Sequence, residues 1–248
     1  MPLAKPKRES EAELRRRVRE VVKRLRKAYP DAVCALNHES PLQLLVATIL
    51  SAQCTDARVN MVTPNLFARY PSVSDLAAAS RSDLEEIVRS TGFFRNKAKS
   101  IQGAASKIVS DFGGTVPKTM EELLSLPGVA RKTANVVLGT AFRIAVGFVV
   151  DTHVFRLSHR LGFAKGKNPL EVERELMAVV PRSDWIDLAH ILIHHGRRVC
   201  AARNADCENC VVTSLCPKIG VTAKRKPAPP AKPKAPLRER ISKRRSRR

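Results

Sequence analysis

Four of the six cysteines lie close together near the end of the chain, with six, two and five residues between successive members. Thiolates at such spacing can surround a metal centre, and the pair separated by two residues places two sulfurs one tight turn apart. Sulfur ligands suit either zinc or an iron–sulfur cluster, and the spacing does not choose between them. The candidate ligands are Cys200, Cys207, Cys210 and Cys216. We expect the other two, Cys34 and Cys54, to be small buried hydrophobic residues.

A second candidate site is the segment LPGVARKTAN at residues 126–135. Pro127 and Gly128 end one helix, and a new helix is predicted to begin at Arg131 and Lys132. The free backbone N–H groups of a helix start can hold a DNA phosphate without reading a base. An amine there can act as a nucleophile, because the positive end of the helix dipole favours its neutral form. A lysine in this position is nevertheless more often a solvated surface charge.

The segment VVDTHVFR at residues 149–156 supplies a carboxylate and an imidazole directly after an apolar run. Asp151 precedes a segment of helical period, so its simplest role is that of a helix N-cap. A capping carboxylate beside a pocket can also act as a base or stabilise a developing positive charge. We expect His153 to be a structural histidine rather than a catalyst.

These motifs, in this order, closely resemble those of the endonuclease III family of helix–hairpin–helix DNA glycosylases. Three further segments match in the same order: LSAQCTD at 50–56, GFFRNKA at 92–98 and HGR at 195–197. The resemblance covers about residues 11 to 218. One departure is Ala130, where family members commonly have glycine. A requirement for positive φ at this position would make alanine a source of strain in the hairpin.

The resemblance implies an all-α fold of two helical domains with a DNA-binding cleft between them. A six-helix domain over residues 34–145 would carry the helix–hairpin–helix motif. A discontinuous iron–sulfur cluster domain would combine residues 11–33 with residues 146–220. The two remaining segments, 1–10 and 221–248, would be basic and disordered ends.

The resemblance also implies roles for individual residues. Lys132 would be the amine nucleophile and Asp151 the catalytic carboxylate, and the four clustered cysteines would hold a 4Fe–4S cluster rather than zinc. Gln53 resembles the residue that fills the gap left by an extruded base, and Phe93 resembles the apolar wedge beside it. Further DNA contacts are expected at Gly128, Ala130, Arg131, Arg197 and Arg203.

The implied function is that of a bifunctional DNA glycosylase and AP lyase of base excision repair. It would remove oxidised or ring-saturated pyrimidines and nick the strand 3′ to the abasic site by β-elimination through a lysine Schiff base. One alternative is an adenine–mismatch-type monofunctional glycosylase, a branch that typically lacks the lysine at position 132 and carries an extra C-terminal domain. The other is a non-catalytic iron–sulfur DNA-binding or redox module, which would not need Lys132 and Asp151 together.

The charge of the chain favours a polyanionic partner, with nucleic acid ahead of an anionic membrane surface. The 248 residues include 45 Lys and Arg against 23 Asp and Glu, a formal net charge of +22. Most of the excess positive charge lies at the two ends of the chain. Residues 1–27 hold 11 Lys and Arg against four Glu, and residues 221–248 hold 12 Lys and Arg against one acidic residue, Glu239. Aromatic residues make up only 4%, which argues against an aromatic-rich β-sandwich or an RNA-binding sheet.

No segment of the sequence predicts a membrane span. The longest apolar stretch, residues 134–150, contains Asn135, Thr140 and Arg143 and is too interrupted to cross a bilayer. We therefore expect a cytoplasmic, nucleoid-associated protein of bacterial type that acts as a monomer. Its partner would be double-stranded DNA containing damaged pyrimidines or abasic sites.

Helical periodicity runs through the body of the chain, and about ten helices are predicted. No sustained period-two alternation bounded by hairpin turns is present, so the predicted class is all-α. A capping box at Thr119 marks one helix start, and a short helix is predicted from Arg131 to Val137. The other predicted helices cover residues 11–28, 42–52, 73–79, 82–90, 97–112, 169–180 and 184–195.

Overall fold

The computed structural model describes residues 9–221, and this range contains helices and connections but no β-strand. The all-α prediction is confirmed. The helices are α1 (Glu11–Ala28), α2 (Pro41–Leu50), α3 (Asp56–Arg69), α4 (Val73–Ala78), α5 (Arg81–Val88), α6 (Phe94–Phe112), α7 (Met120–Leu124), α8 (Arg131–Val136), α9 (Thr152–Arg160), α10 (Pro169–Val179) and α11 (Trp185–Arg198). None of them is long and apolar enough to cross a membrane.

The start of α1 is fixed by a complete capping box. The Ser10 hydroxyl accepts the Glu13 N–H, and the Glu13 carboxylate accepts the Ser10 N–H in return. Glu9 also pairs with Arg17 at 2.7 Å. Residues 9 and 10, predicted to belong to a disordered end, are therefore part of the helix start. The rest of the two predicted tails, residues 1–8 and 222–248, lies outside the described residues.

Two elements differ from the sequence prediction. Helix α3 is not predicted, because its apolar positions are interrupted by Asn60 and by Pro64 inside the helix. The helix predicted from 131 to 137 is α-helical only to Val136 and continues as one π-helical turn, Val137–Ala141. The capping box at Thr119 is half formed, since Thr119 Oγ1 accepts the Glu122 N–H at 3.3 Å but the Glu122 carboxylate accepts from the Thr119 hydroxyl instead.

The buried apolar side chains form two separate clusters. The first runs from Leu36 to Leu138 and is built by helices α2 to α8. The second combines Val18 to Leu25 of α1 with residues from Phe148 to Val212, contributed mainly by α9, α10 and α11. The chain therefore begins in the second cluster, builds the first and then returns. Two clusters, one of them discontinuous in sequence, agree with a two-domain fold, and the residue bounds of the domains stay a prediction.

The hairpin between α7 and α8 is held against α6. Gly128 has a φ of +76°, and a Cβ atom there would lie 2.5 Å from the Ser100 Cβ atom. Glycine is therefore required both for its backbone conformation and for the close approach. Ala130 has a φ of −98° and a ψ of 170°, an extended conformation that any residue adopts. The strain considered for alanine at this position does not occur.

We expect Gly128→Ala to lower the free energy of unfolding by about 2–4 kcal/mol, combining the penalty of left-handed backbone with a steric clash. Gly114→Ala is the matched control, because Gly114 has a similar φ of +80° but its nearest neighbour to a new Cβ atom is 3.7 Å away. The control should lose only about 1–2 kcal/mol. Denaturant unfolding measures both, and equal losses would show that the contact with Ser100 adds nothing.

Candidate active site and cysteine site

An open cleft of about 1590 Å³ is lined by residues from both clusters. Lys132 reaches it from α8, and Asp151 reaches it from the N-cap of α9. Gln53, in the turn after α2, and Arg197, near the end of α11, also line it. The structure therefore brings together four residues that lie up to 144 positions apart in the sequence.

Lys132 lies in the first turn of α8 and is solvent-exposed. Across residues 9–221, its amino group forms no ion pair and no side-chain hydrogen bond, so it is available for reaction. A deeper pocket continues behind it and is also lined by Lys132 and Asp151, together with Cys34 and His190. Lys167 is the other lysine of the open cleft, but it does not line the deeper pocket. Lys132 is thus the cleft lysine that shares both spaces with Asp151.

Asp151 is a helix N-cap, as its position in the sequence predicts. Its Oδ1 atom accepts the Val154 N–H at 2.8 Å, and this bond fixes the carboxylate at the mouth of the pocket. His153 is half-buried, its Nδ1 lies 3.1 Å from the Arg156 guanidinium, and burial lowers its pKa. A histidine held in this way fits the structural role expected for it.

Arg197 makes an ion pair with Asp56, the first residue of α3, at 2.5 Å. The pair joins the second cluster to the first at the edge of the cleft. Asp56 ends the segment LSAQCTD, but its pair with Arg197 could not be predicted, because the partners are 141 residues apart. Arg203 is exposed on the loop between α11 and the last cysteines, and it does not line the cleft.

Gln53 and Phe93 share an unusual backbone conformation for residues that are not glycine. Their φ angles are +52° and +50°. Phe93 caps the start of α6, and 62% of its surface is exposed, although it does not line the cleft itself. Left-handed backbone costs about 1–2 kcal/mol for an ordinary residue and is concentrated at functional sites.

Arg131, expected to contact DNA, is already paired within the protein. Its guanidinium donates to both carboxylate oxygens of Glu173 on α10, at 2.7 and 3.1 Å. The side chain of Glu173 is only 5% exposed. No sequence motif points to this pair, since the partners are 42 residues apart and belong to different clusters.

The four clustered cysteines line one pocket beside the ends of α9 and α11. Arg160, the last residue of α9, organises this pocket: its guanidinium donates to Cys200 Sγ at 3.2 Å and to the Ala201 carbonyl at 2.7 Å. The Lys218 N–H donates to Cys216 Sγ at 3.3 Å. Donors aimed at sulfur are the outer contacts that an anionic iron–sulfur centre uses.

The four cysteines form one donor set, because their thiols surround the same pocket. Four sulfur donors around one space fit a metal centre. Burial raises the pKa values of Cys210 and Cys216, so binding of a metal centre would release their protons.

Comparison with known proteins places this chain in a family. The family described as "HhH-GPD superfamily base excision DNA repair protein" matches residues 46–182. A Synechocystis sp. protein named Endonuclease III is 57% identical over 206 residues, which cover 83% of this chain and 94% of that protein. This chain belongs to the endonuclease III family. The resemblance inferred from the sequence motifs is therefore confirmed.

Two further members support the assignment. Endonuclease III of Bacillus subtilis is 48% identical over 76% of this chain and 86% of that protein. The solved structure "Structure of a Trapped Endonuclease III-DNA Covalent Intermediate: Estranged-Adenine Complex" has a TM-score of 0.77 and 42% identity, covering 82% of this chain and 96% of that one. Membership of this family makes the protein a DNA glycosylase of base excision repair.

The capping role of Asp151 and the catalytic role predicted for it can be separated by substitution. Asp151→Asn keeps an oxygen that accepts the Val154 N–H, so the free energy of unfolding should hardly change. Asp151→Ala removes the cap and should cost about 1 kcal/mol. Both variants lack the carboxylate and should be slow in base removal. Denaturant unfolding alongside a base-release assay measures the two effects, and full activity in the asparagine variant would contradict a catalytic role.

Proposed function

We propose that the protein is a bifunctional glycosylase and AP lyase that uses Lys132 as its nucleophile. The observation that carries this proposal is the position of Lys132: it faces the open cleft and the deeper pocket, and it shares both with the Asp151 carboxylate. A nucleophilic amine beside a carboxylate base is the arrangement that covalent catalysis requires. The trapped covalent intermediate that an endonuclease III of solved structure forms with DNA supports the same chemistry.

The proposed reaction begins with attack of the Lys132 amine on the anomeric carbon of the damaged nucleotide. The bond to the base breaks as the new C–N bond forms, and the base leaves with the bonding electrons. The Asp151 carboxylate accepts the proton that the amine loses and stabilises the positive charge on the sugar. Ring opening gives a protonated Schiff base, which acidifies the neighbouring sugar proton. Loss of that proton expels the 3′ phosphate and nicks the strand.

DNA would lie across the open cleft with the damaged nucleotide turned out towards Lys132. A base cannot be reached inside a duplex, and its extrusion costs a few kcal/mol. Gln53 lines the cleft and would enter the space that the extruded base leaves. The exposed Phe93 is the apolar side chain available to unstack the neighbouring step.

The proposed substrates are oxidised or ring-saturated pyrimidines and abasic sites. A saturated ring is no longer planar and stacks poorly, so it is less costly to extrude than an intact base. The pocket behind Lys132 is also lined by Ser51, His190 and His194, whose remaining polar atoms would face the extruded base. These groups can form hydrogen bonds with the exocyclic atoms of a pyrimidine.

We further propose that Cys200, Cys207, Cys210 and Cys216 hold a 4Fe–4S cluster. The loop from 200 to 216 contributes few side chains to the second hydrophobic cluster, so its shape needs another source of order. When bound, the cluster would supply that order by linking four points of the loop covalently. Arg203, exposed on this loop, is then held in a fixed place from which it could contact a phosphate.

Borohydride trapping on an abasic duplex tests the identity of the nucleophile. Lys132→Ala should abolish the covalent adduct and strand nicking while DNA binding persists, because it removes the amine and leaves the other cleft residues in place. Lys167→Ala is the matched control, since Lys167 lines the same cleft without reaching the deeper pocket. It should still be trapped. Loss of the adduct in Lys167→Ala and its retention in Lys132→Ala would assign the chemistry to the other lysine.

Metal analysis tests the cysteine site. The purified protein should contain about four iron and four sulfide per chain and absorb visible light. Cys207→Ser should lose most of the iron and destabilise residues 200–216, whereas Cys34→Ser, far from the site, should keep it. Stoichiometric zinc in a colourless protein would overturn the cluster, and normal iron content in Cys207→Ser would exclude this ligand.

A further inference from the structure

Glu173 is a buried carboxylate for which the proposed reaction has no use. It lies on α10, between Val172 and Leu176 of the second cluster, but its partners belong to α8 in the first. Its Oε2 atom accepts from Arg131 Nε at 2.7 Å, and Oε1 accepts from the second Arg131 nitrogen at 3.1 Å and from Asn135 Nδ2 at 2.8 Å. One carboxylate thus binds two side chains of the helix that carries the nucleophile.

The two residues that Glu173 contacts lie on the face of α8 next to the face of Lys132. Arg131 and Asn135 are four residues apart and share one face of the helix, and Lys132 projects from the adjacent face into the cleft. Holding two points on one face fixes both the position and the rotation of the helix. α8 has only six residues before the π-helical turn Val137–Ala141, so its own hydrogen bonds do little to set its direction.

Gly147, in the connection to α9, packs against both Glu173 and Asn135. A Cβ atom at this glycine would lie 2.3 Å from Glu173 Oε1 and 2.5 Å from Asn135 Oδ1. Asn135 Oδ1 is buried and has no hydrogen-bond partner among residues 9–221. The amide orientation is therefore set by the bond that its nitrogen donates to Glu173, even though its oxygen is left unsatisfied.

We propose that Glu173 is a positioning residue that holds α8, and with it Lys132, in register with Asp151. The proposal rests on the proposed role of Lys132 as nucleophile. It also gives Arg131 a different role from the DNA contact expected from the sequence, because a bidentate pair with a buried carboxylate occupies its guanidinium. Since α8 carries the nucleophile and α10 belongs to the opposite cluster, the pair links the two sides of the cleft.

The test compares the rate of adduct formation with DNA affinity in the full-length protein. Glu173→Gln keeps the shape of the side chain but cannot accept both Arg131 bonds. It should slow single-turnover borohydride trapping by about 10²-fold, the effect of a small misplacement of a reacting group. Affinity for an abasic duplex should stay near that of the wild type. Gly147→Ala should have the same effect, because its Cβ atom displaces Glu173 and Asn135.

Two controls separate the effect of Glu173 from that of any change between the two clusters or next to α8. Asp187→Asn breaks a more exposed ion pair with Arg143 (3.0 Å), which also connects the two clusters but involves no side chain of α8. Gly139→Ala introduces a Cβ atom that meets nothing closer than 3.4 Å. Both should form the adduct at the wild-type rate. If Glu173→Gln and Gly147→Ala are no slower than these controls, or if rate and affinity fall together, Glu173 does not position the lysine.

Arg131→Lys keeps the proposal testable if Glu173→Gln fails to fold. Lysine retains the charge beside Glu173 but lacks the paired donors of the guanidinium. Slow trapping with an unchanged salt dependence of DNA binding would support the positioning role. A normal rate with altered DNA binding would instead make Arg131 a phosphate contact and overturn the proposal. Failure of the underlying mechanism shows itself separately, because Lys132→Ala would then still be trapped.

Discussion

The chemistry proposed for this protein depends on the register between two hydrophobic clusters. The amine of Lys132 projects from the first and the carboxylate of Asp151 from the second, so neither cluster contains a complete site. Apolar packing alone does not fix the position of one cluster relative to the other, because it is non-directional and tolerates small shifts. Directional contacts must therefore fix the two sides of the cleft. Arg131–Glu173 and Asp56–Arg197 are the charged pairs placed at that boundary nearest the lysine.

The two pairs differ in how strongly they can constrain the site. Arg197 is 41% exposed and Asp56 25%, so water screens their attraction, and pairs of this kind contribute little to stability. Glu173 is almost fully buried, and loss of its partner would leave an uncompensated charge inside the protein. Arg131 is itself 43% exposed, so what distinguishes this pair is its buried carboxylate and its two parallel hydrogen bonds, which fix the direction of the contact.

Sequence periodicity and capping predicted most of the helices because those signals are local. Glu11–Ala28 has its apolar residues on one face and a serine at its start, and the helix occupies the predicted residues. Helix α3 was missed because it contains Pro64 and because Asn60 interrupts its apolar positions, so its sequence lacks a clear helical period. The π-helical turn after Val136 was also not predicted, since the apolar run 134–139 reads equally well as a continuing α-helix.

Some residues of the candidate site could likewise be predicted from local sequence, and others could not. Lys132, Asp151 and the four cysteines could be named from short motifs, because each motif also specifies its local backbone. Glu173 could not be named in this way, since its neighbours in the sequence do not distinguish it from Glu171 or Glu175 on the same helix. Those two carboxylates accept hydrogen bonds from nearby backbone N–H groups. Its role depends on Gly147 and Asn135 meeting it across the cluster boundary. Residues that carry chemistry are therefore visible in local sequence, whereas residues that hold the chemistry in place become visible only once the chain has folded.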